Sequence, residues 1–127
     1  MKCLTVRQPY ATAILLGLHV TERRDWGTSY RGPLLIHAAA GKPSRDGLLA
    51  YPQIDREKLV YNAILGMVDL VGCVARSDDY HWLLTNPRWL ASPFPCRGVK
   101  GLWVPPPGVL LPGSRTLAPP PAEAGGG

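Results

Sequence analysis

The strand-like and helix-like stretches of this chain do not alternate in the regular way that a parallel βαβ sheet requires. Residues 2–7 (KCLTVR) read as a short strand. Residues 9–16 place proline at a first helical position, continue with Ala and Leu and meet Gly17, the pattern of a short helix with a glycine stop. His19 to Trp26 alternates loosely, contains β-branched residues and reads as a strand, followed by a Gly27-Thr28-Ser29 turn. Residues 33–39 (PLLIHAA) form a buried strand that opens at Pro33, where a strand tolerates proline. Residues 41–53 are loop-like, with Ser44-Arg45-Asp46 able to start a short helix. The pattern then predicts a helix over 55–64 capped by Asp55. A strand follows over 66–77, with Gly72 marking a bulge or close packing. A helix over 80–91 interrupted by Pro87 and a last strand at 100–104 complete the series. Short strands mixed with three or four short helices predict an α+β fold: a small mixed β-barrel of about five or six strands with short helices around it.

Composition divides the chain at Val104. Residues 1–104 carry the expected barrel domain, and 105–127 read as a Pro/Gly-rich C-terminal tail. Within 105–121, Pro-Pro-Pro occurs twice and no acidic residue is present, which favours extended polyproline backbone. Leu110, Leu111 and Leu117 are its candidate anchors, and the segment is a candidate ligand for a protein partner with an aromatic groove. With 46% hydrophobic and 18% charged residues, the chain can build a core, so wholesale disorder is not expected. No apolar run approaches the length of a membrane span, and the N-terminus lacks the apolar centre of a signal peptide. A cytoplasmic location without membrane contact is the expectation. Cys3, Cys73 and Cys96 are odd in number and far apart, no Cys-x-x-Cys occurs, and the three histidines lack ligand spacing. Neither a disulfide framework nor a metal is expected. Phosphate-loop, dinucleotide and nucleophile-elbow motifs are missing, so no cofactor is expected. The net charge of +5 favours anionic partners.

The segment GLHVTERRDW, residues 17–26, concentrates charge between two apolar stretches. Strand alternation puts Val20, Glu22, Arg24 and Trp26 on one face and His19, Thr21, Arg23 and Asp25 on the other. If the first face lines a cleft, Glu22 and Arg24 offer acceptors and a rigid fork of donors to a nucleobase edge or phosphate. If it is buried, they are an internal ion pair. Arg7 and Gln8 precede the first helix, where an anion is attracted; Gln8 either bonds a base or satisfies the helix's free N–H groups. Arg31, before Gly32, is a candidate phosphate contact. His37 in its apolar strand is either a hydrogen-bonded core residue or an acid–base group. Trp26 offers a stacking surface if exposed. Trp82 and Trp89 fall on one face of the expected helix, and Trp103 reads as core. Ser77-Asp78-Asp79 is a helix cap or part of a cleft rim. Cys73 reads as an inert buried thiol.

Taken in order, LTVRQPYATAILLG, GLHVTERRDW and YRGPLLIHAA resemble the ASCH (activating signal cointegrator homology) domain of the PUA-like group of β-barrels. The family hallmark G-x-K-x-x-E-x-R stands here as Gly17 to Arg24, with His19 in place of the usual lysine. The Gln-Pro before the helix, the Arg-Gly before the next strand, the strand from Gly66 to Cys73 and the closing Gly-Leu-Trp also match, over roughly residues 3–104. The resemblance implies a twisted barrel and a cleft between barrel and first helix. Glu22 and Arg24 would lie in that cleft and Gln8 at its helical edge, with Trp26 and Arg31 as neighbours. It also implies links to RNA, to coactivator functions and, in some branches, to small hydrolytic activities. Branches resembling an acetylcytidine amidohydrolase use that lysine together with a threonine where Glu22 stands, and this chain has neither. A neutral histidine supplies no permanent charge.

The expected function is therefore an RNA- or nucleotide-binding module. Its partner is single-stranded RNA or a nucleotide, held by Arg7, Gln8, Glu22, Arg24, Trp26 and Arg31. The alternative is a small metal-independent hydrolase acting on RNA or a modified nucleoside, using Glu22 with His19 or His37.

Overall fold

A computed structural model describes residues 1–113 and 115–117. Its elements run β1 (Lys2–Val6), α1 (Tyr10–Leu15), β2 (Thr21–Arg24), β3 (Gly32–Ala38), α2 (Arg45–Ala50), β4 (Ala63–Ala75), β5 (Tyr80–Pro95), β6 (Leu102–Trp103), β7 (Leu110–Leu111) and β8 (Arg115–Thr116). The first six strands form one sheet in the order β2-β5-β4-β3-β1-β6, curled as a half-barrel, and β7 and β8 form a separate two-stranded ribbon. β1 and β3 pair in parallel and the other neighbours are antiparallel. This is the small α+β PUA-like architecture that the sequence predicts.

β3 shows why the sheet is covered on both sides. Leu34 to Ala38 are all buried, and an apolar run without alternation is the signature of a strand that meets no water on either face. Leu34 and Ile36 join one cluster with Leu4, Val68, Leu70, Trp82 and Leu84, over which α1 lays Ala11, Ile14 and Leu15. Leu35 faces the opposite cluster, with Cys3, Ile64, Met67, Leu90 and Trp103. Val109 and Leu111 complete that second cluster and Leu117 packs against it. The start of the Pro-rich segment is thus part of the core. Leu111 and Leu117 anchor it, while Leu110 remains 48% exposed. The remainder of the expected tail, 118–127, lies outside the described residues.

Two expected helices are corrected. Over 55–64 the chain makes only one 3-10 turn, Arg56–Lys58, which Asp55 caps by accepting from the Glu57 N–H at 3.0 Å. Asn62 then takes a left-handed backbone with φ of 55°, and β4 begins at Ala63. Pairing of β4 with both β3 and β5 outweighs the local helical preference. Over 80–91 the chain is the strand β5. Trp82 and Leu84 are buried and Leu83 between them is exposed, a period of two. Seven positions in a strand separate opposite faces, so Trp82 is fully buried while Trp89 is 46% exposed. Pro87 breaks no ladder because the register jumps there, from Asp69↔Thr85 to Met67↔Arg88, with Asn86 at φ 54°. Gly72 sits at another register shift, as expected. Ser77-Asp78-Asp79 caps no helix; it lies in the β4–β5 turn, where the Arg76 N–H donates to the Asp79 carbonyl at 2.8 Å.

Candidate functional site

β2 is an edge strand only four residues long, paired with β5 through Glu22↔Trp82 and Arg24↔Tyr80. The strand begins at Thr21, so alternation does not govern His19. Instead His19 turns back onto the same side as Glu22. Its Nε2 lies 3.0 Å from Glu22 Oε1 and its Nδ1 lies 2.8 Å from the Tyr51 hydroxyl. Tyr51 follows α2, 32 residues away in sequence, and nothing local in the sequence signals that contact. Tyr10, from α1, packs its ring against His19 at 5.0 Å between centroids.

Glu22 and Arg24 satisfy each other. Glu22 Oε2 accepts from Arg24 Nη2 at 2.8 Å and from Nε at 3.2 Å, and Arg24 Nη2 also donates to the Thr5 carbonyl at 3.0 Å. Burial alone would raise the Glu22 pKa, but the His19 hydrogen bond and the Arg24 charge outweigh it and hold the carboxyl below the usual range. Burial, the neighbouring Tyr10 and the Glu22 charge push the Tyr51 phenol upward, so it stays protonated and able to donate. With a carboxylate on one side and a phenol on the other, the His19 ring directs an Nε2–H at Glu22 and its Nδ1 at the Tyr51 hydroxyl. The result is a continuous chain, Tyr51 to His19 to Glu22 to Arg24.

His19, Glu22 and Arg24 of that chain form one wall of a cleft of about 710 Å³, bounded also by Thr5, Arg7, Tyr10, Arg23 and Lys42, with Tyr51 behind His19. Arg7 Nε donates to the Lys42 carbonyl at 2.9 Å, tying the helix approach to the loop opposite. Among the described residues, Arg7, Arg23 and Lys42 have no carboxylate partner. Alternation assigns Arg23 to the face away from Glu22, yet it lines the cleft, because the exposed side chain of a short edge strand reaches around its own rim.

The other sequence candidates lie as follows. Gln8 is fully buried; its Oε1 accepts from the Thr12 N–H at 3.0 Å and its Nε2 donates to the Val60 carbonyl at 2.8 Å, so both ends of the amide support the fold around α1. Arg31 is outside the cleft and donates to the carbonyls of Thr28 and Tyr30 at 2.9 and 2.8 Å. Trp26 packs edge-on with Trp82 at 4.8 Å and lines an adjoining hollow of about 440 Å³ together with His37. His37 is fully buried, lies 2.7 Å from the Cys96 carbonyl through Nε2 and meets the Trp103 ring at 5.5 Å. Desolvation lowers its pKa against the raising effect of that carbonyl. The structure therefore gathers His19, Glu22, Arg24 and Arg7 in one cleft and separates Gln8, Arg31 and His37 from it.

Among the described residues no helix is long and apolar enough to cross a membrane. The sequence matches the ASCH domain over residues 4–90. It is 31% identical over 125 residues to human (Homo sapiens) activating signal cointegrator 1, a match covering 80% of this chain and 22% of that protein. The mouse (Mus musculus) protein of the same name is 27% identical over 125 residues, with the same shares covered. The chain thus spans about a fifth of the length of the curated relatives it matches. From the hallmark strand through the half-barrel to the matched segment, this chain belongs to the ASCH domain family.

Proposed function

We propose that the domain binds single-stranded RNA, with the backbone tracking across the mouth of the cleft. One observation carries this reading: Arg7, Arg23 and Lys42 stand at a concave opening without carboxylate partners among the described residues, while Glu22 and Arg24 below them are mutually satisfied. Free cations around a cleft attract phosphates and position a strand without reading its sequence. Membership of a family whose domains are generally RNA-binding PUA-like modules supports the same ligand class. In this reading Arg24 and Glu22 shape the wall, and the rim cations make the phosphate contacts.

The hydrolase alternative draws less support. Both oxygens of Glu22 are engaged and its pKa is held low, which makes it a poor general base. His19 Nδ1 is covered by the Tyr51 hydroxyl. A protein-ligand role for 105–117 also lacks support, since Val109 and Leu111 are committed to the chain's own core.

The double substitution Arg23→Ala/Lys42→Ala tests the proposal. Binding should weaken about equally for all single-stranded sequences, and the dependence of log affinity on log salt should flatten by roughly 0.7 per phosphate contact removed. Lys58→Ala, on the exposed 3-10 turn, serves as the control and should change nothing. Unchanged affinity in the double variant would contradict the reading.

A further inference from the structure

We propose that the hollow beyond Arg24 is a pocket for one unstacked nucleobase of the bound strand; this rests on the reading of the neighbouring cleft as a phosphate track. The two spaces share Thr5 and Arg24 as walls. Arg24 is pinned between the Glu22 carboxylate and the Thr5 carbonyl, so the partition between them is fixed. The hollow, about 440 Å³, falls within the range of small-molecule sites.

Its walls hold the groups a base needs. Trp26 is half-buried and offers indole surface for stacking. Asn62 has its backbone tied at both ends: its N–H donates to the Ala38 carbonyl at 2.8 Å and its carbonyl accepts from the Cys96 N–H at 3.1 Å. Its carboxamide has no hydrogen bond among the described residues, and it offers an adjacent donor and acceptor to a base edge. Arg97 and Lys100 flank the opening, and among the described residues no acidic side chain lines it. At the floor, His37 directs Nε2 at the Cys96 carbonyl, which leaves Nδ1 as a buried acceptor with no donor. Gly98 lies directly over it: a Cβ at that position would stand 2.9 Å from His37 Nδ1 and 2.7 Å from Thr5 Oγ1. The absence of that side chain lets the 97–101 loop close one side of the pocket. An aromatic wall, a free carboxamide and flanking cations complement a flat, edge-bonding ring joined to a phosphate. A phosphate alone would use neither the indole nor the carboxamide.

The test uses the full chain and a hexanucleotide RNA carrying a single abasic site at each position in turn, with Asn62→Gly alongside. Glycine keeps the positive φ of position 62 without strain, so this variant retains the fold. One abasic position should weaken binding about tenfold while the others have little effect. Asn62→Gly should weaken the intact RNA, and combining it with the sensitive abasic site should cost clearly less than the two losses multiplied. Salt-sensitive binding that tolerates every abasic site and Asn62→Gly would overturn the base pocket and leave the phosphate track standing. No binding to any hexanucleotide would overturn both.

Discussion

A chain ended after Val104 is expected to lose about 4 kcal/mol or more of folding stability, because burial of a Val or Leu side chain contributes about 1.5–3 kcal/mol each. The deletion removes Val109 and Leu111, which are 0% and 6% exposed and cover Leu90, Trp103 and Ile64 on the second face of the sheet. A domain of this size has a net stability on the order of 5–15 kcal/mol, so the loss is a large fraction of the total. Urea unfolding of the two chains reads the loss as a lower midpoint. Leu111→Ala, which keeps the rest of the segment, should cost about 2–5 kcal/mol and provides the milder comparison. An unchanged midpoint after either change would mean that the segment lies on the sheet without contributing to its core.

Substituting Glu22 by Ala is the second large effect, with an expected loss of about 3 kcal/mol near neutral pH, as for breaking a buried pair by removing one partner. The cost comes from Arg24 and His19, which both direct donors at the missing carboxylate. Glu22→Gln keeps an acceptor and should cost less, about 1.5 kcal/mol. The pH dependence separates the charge from the shape. The folded-state pKa lies below the ordinary value of 4.5, so between those two values the unfolded chain binds more protons than the folded one. The stabilisation is complete above about pH 4.5 and is lost as pH falls through the lowered folded-state value. The gap between the unaltered chain and Glu22→Gln should therefore narrow below pH 4.5. His37 acts in a higher window: its lowered pKa removes stability as pH falls below its ordinary 6.5. That loss is common to both chains and cancels in the comparison. A gap that stays constant down to the acid transition would contradict the charged network.

Much of the framework was legible because it is local. The Ala and Leu after Pro9 and the Gly17 stop specify α1, although Pro9 stands at its N-cap and the helix begins at Tyr10, and PLLIHAA announces a buried strand. The two misread helices share a cause. Their apolar spacing suits either period, and only pairing with distant strands decides between them. In β5 the decisive sign was the Asn86-Pro87 pair, which reads as a helix interruption but serves as a bulge. The site was half visible. The hallmark strand identified Glu22 and Arg24, yet their mutual pairing depends on an edge strand held flat against β5. His19 was assigned by alternation to the wrong side because the strand starts two residues later. Tyr51, Lys42 and Asn62 reach the site through chain reversals that no short window of sequence encodes. Gly98 is a further case: its meaning is a close approach to His37 and Thr5, a relation that only the folded chain creates.

The most direct test of the central claim is the affinity for a short single-stranded RNA across roughly 50–200 mM salt, with a duplex of the same length measured in parallel. Phosphate contacts from Arg7, Arg23 and Lys42 predict a log–log slope of about −2 for the single strand, at roughly 0.7 per contact, and weaker binding of the duplex. A slope near zero, or equal affinity for the duplex, would contradict the assignment of this cleft to single-stranded RNA.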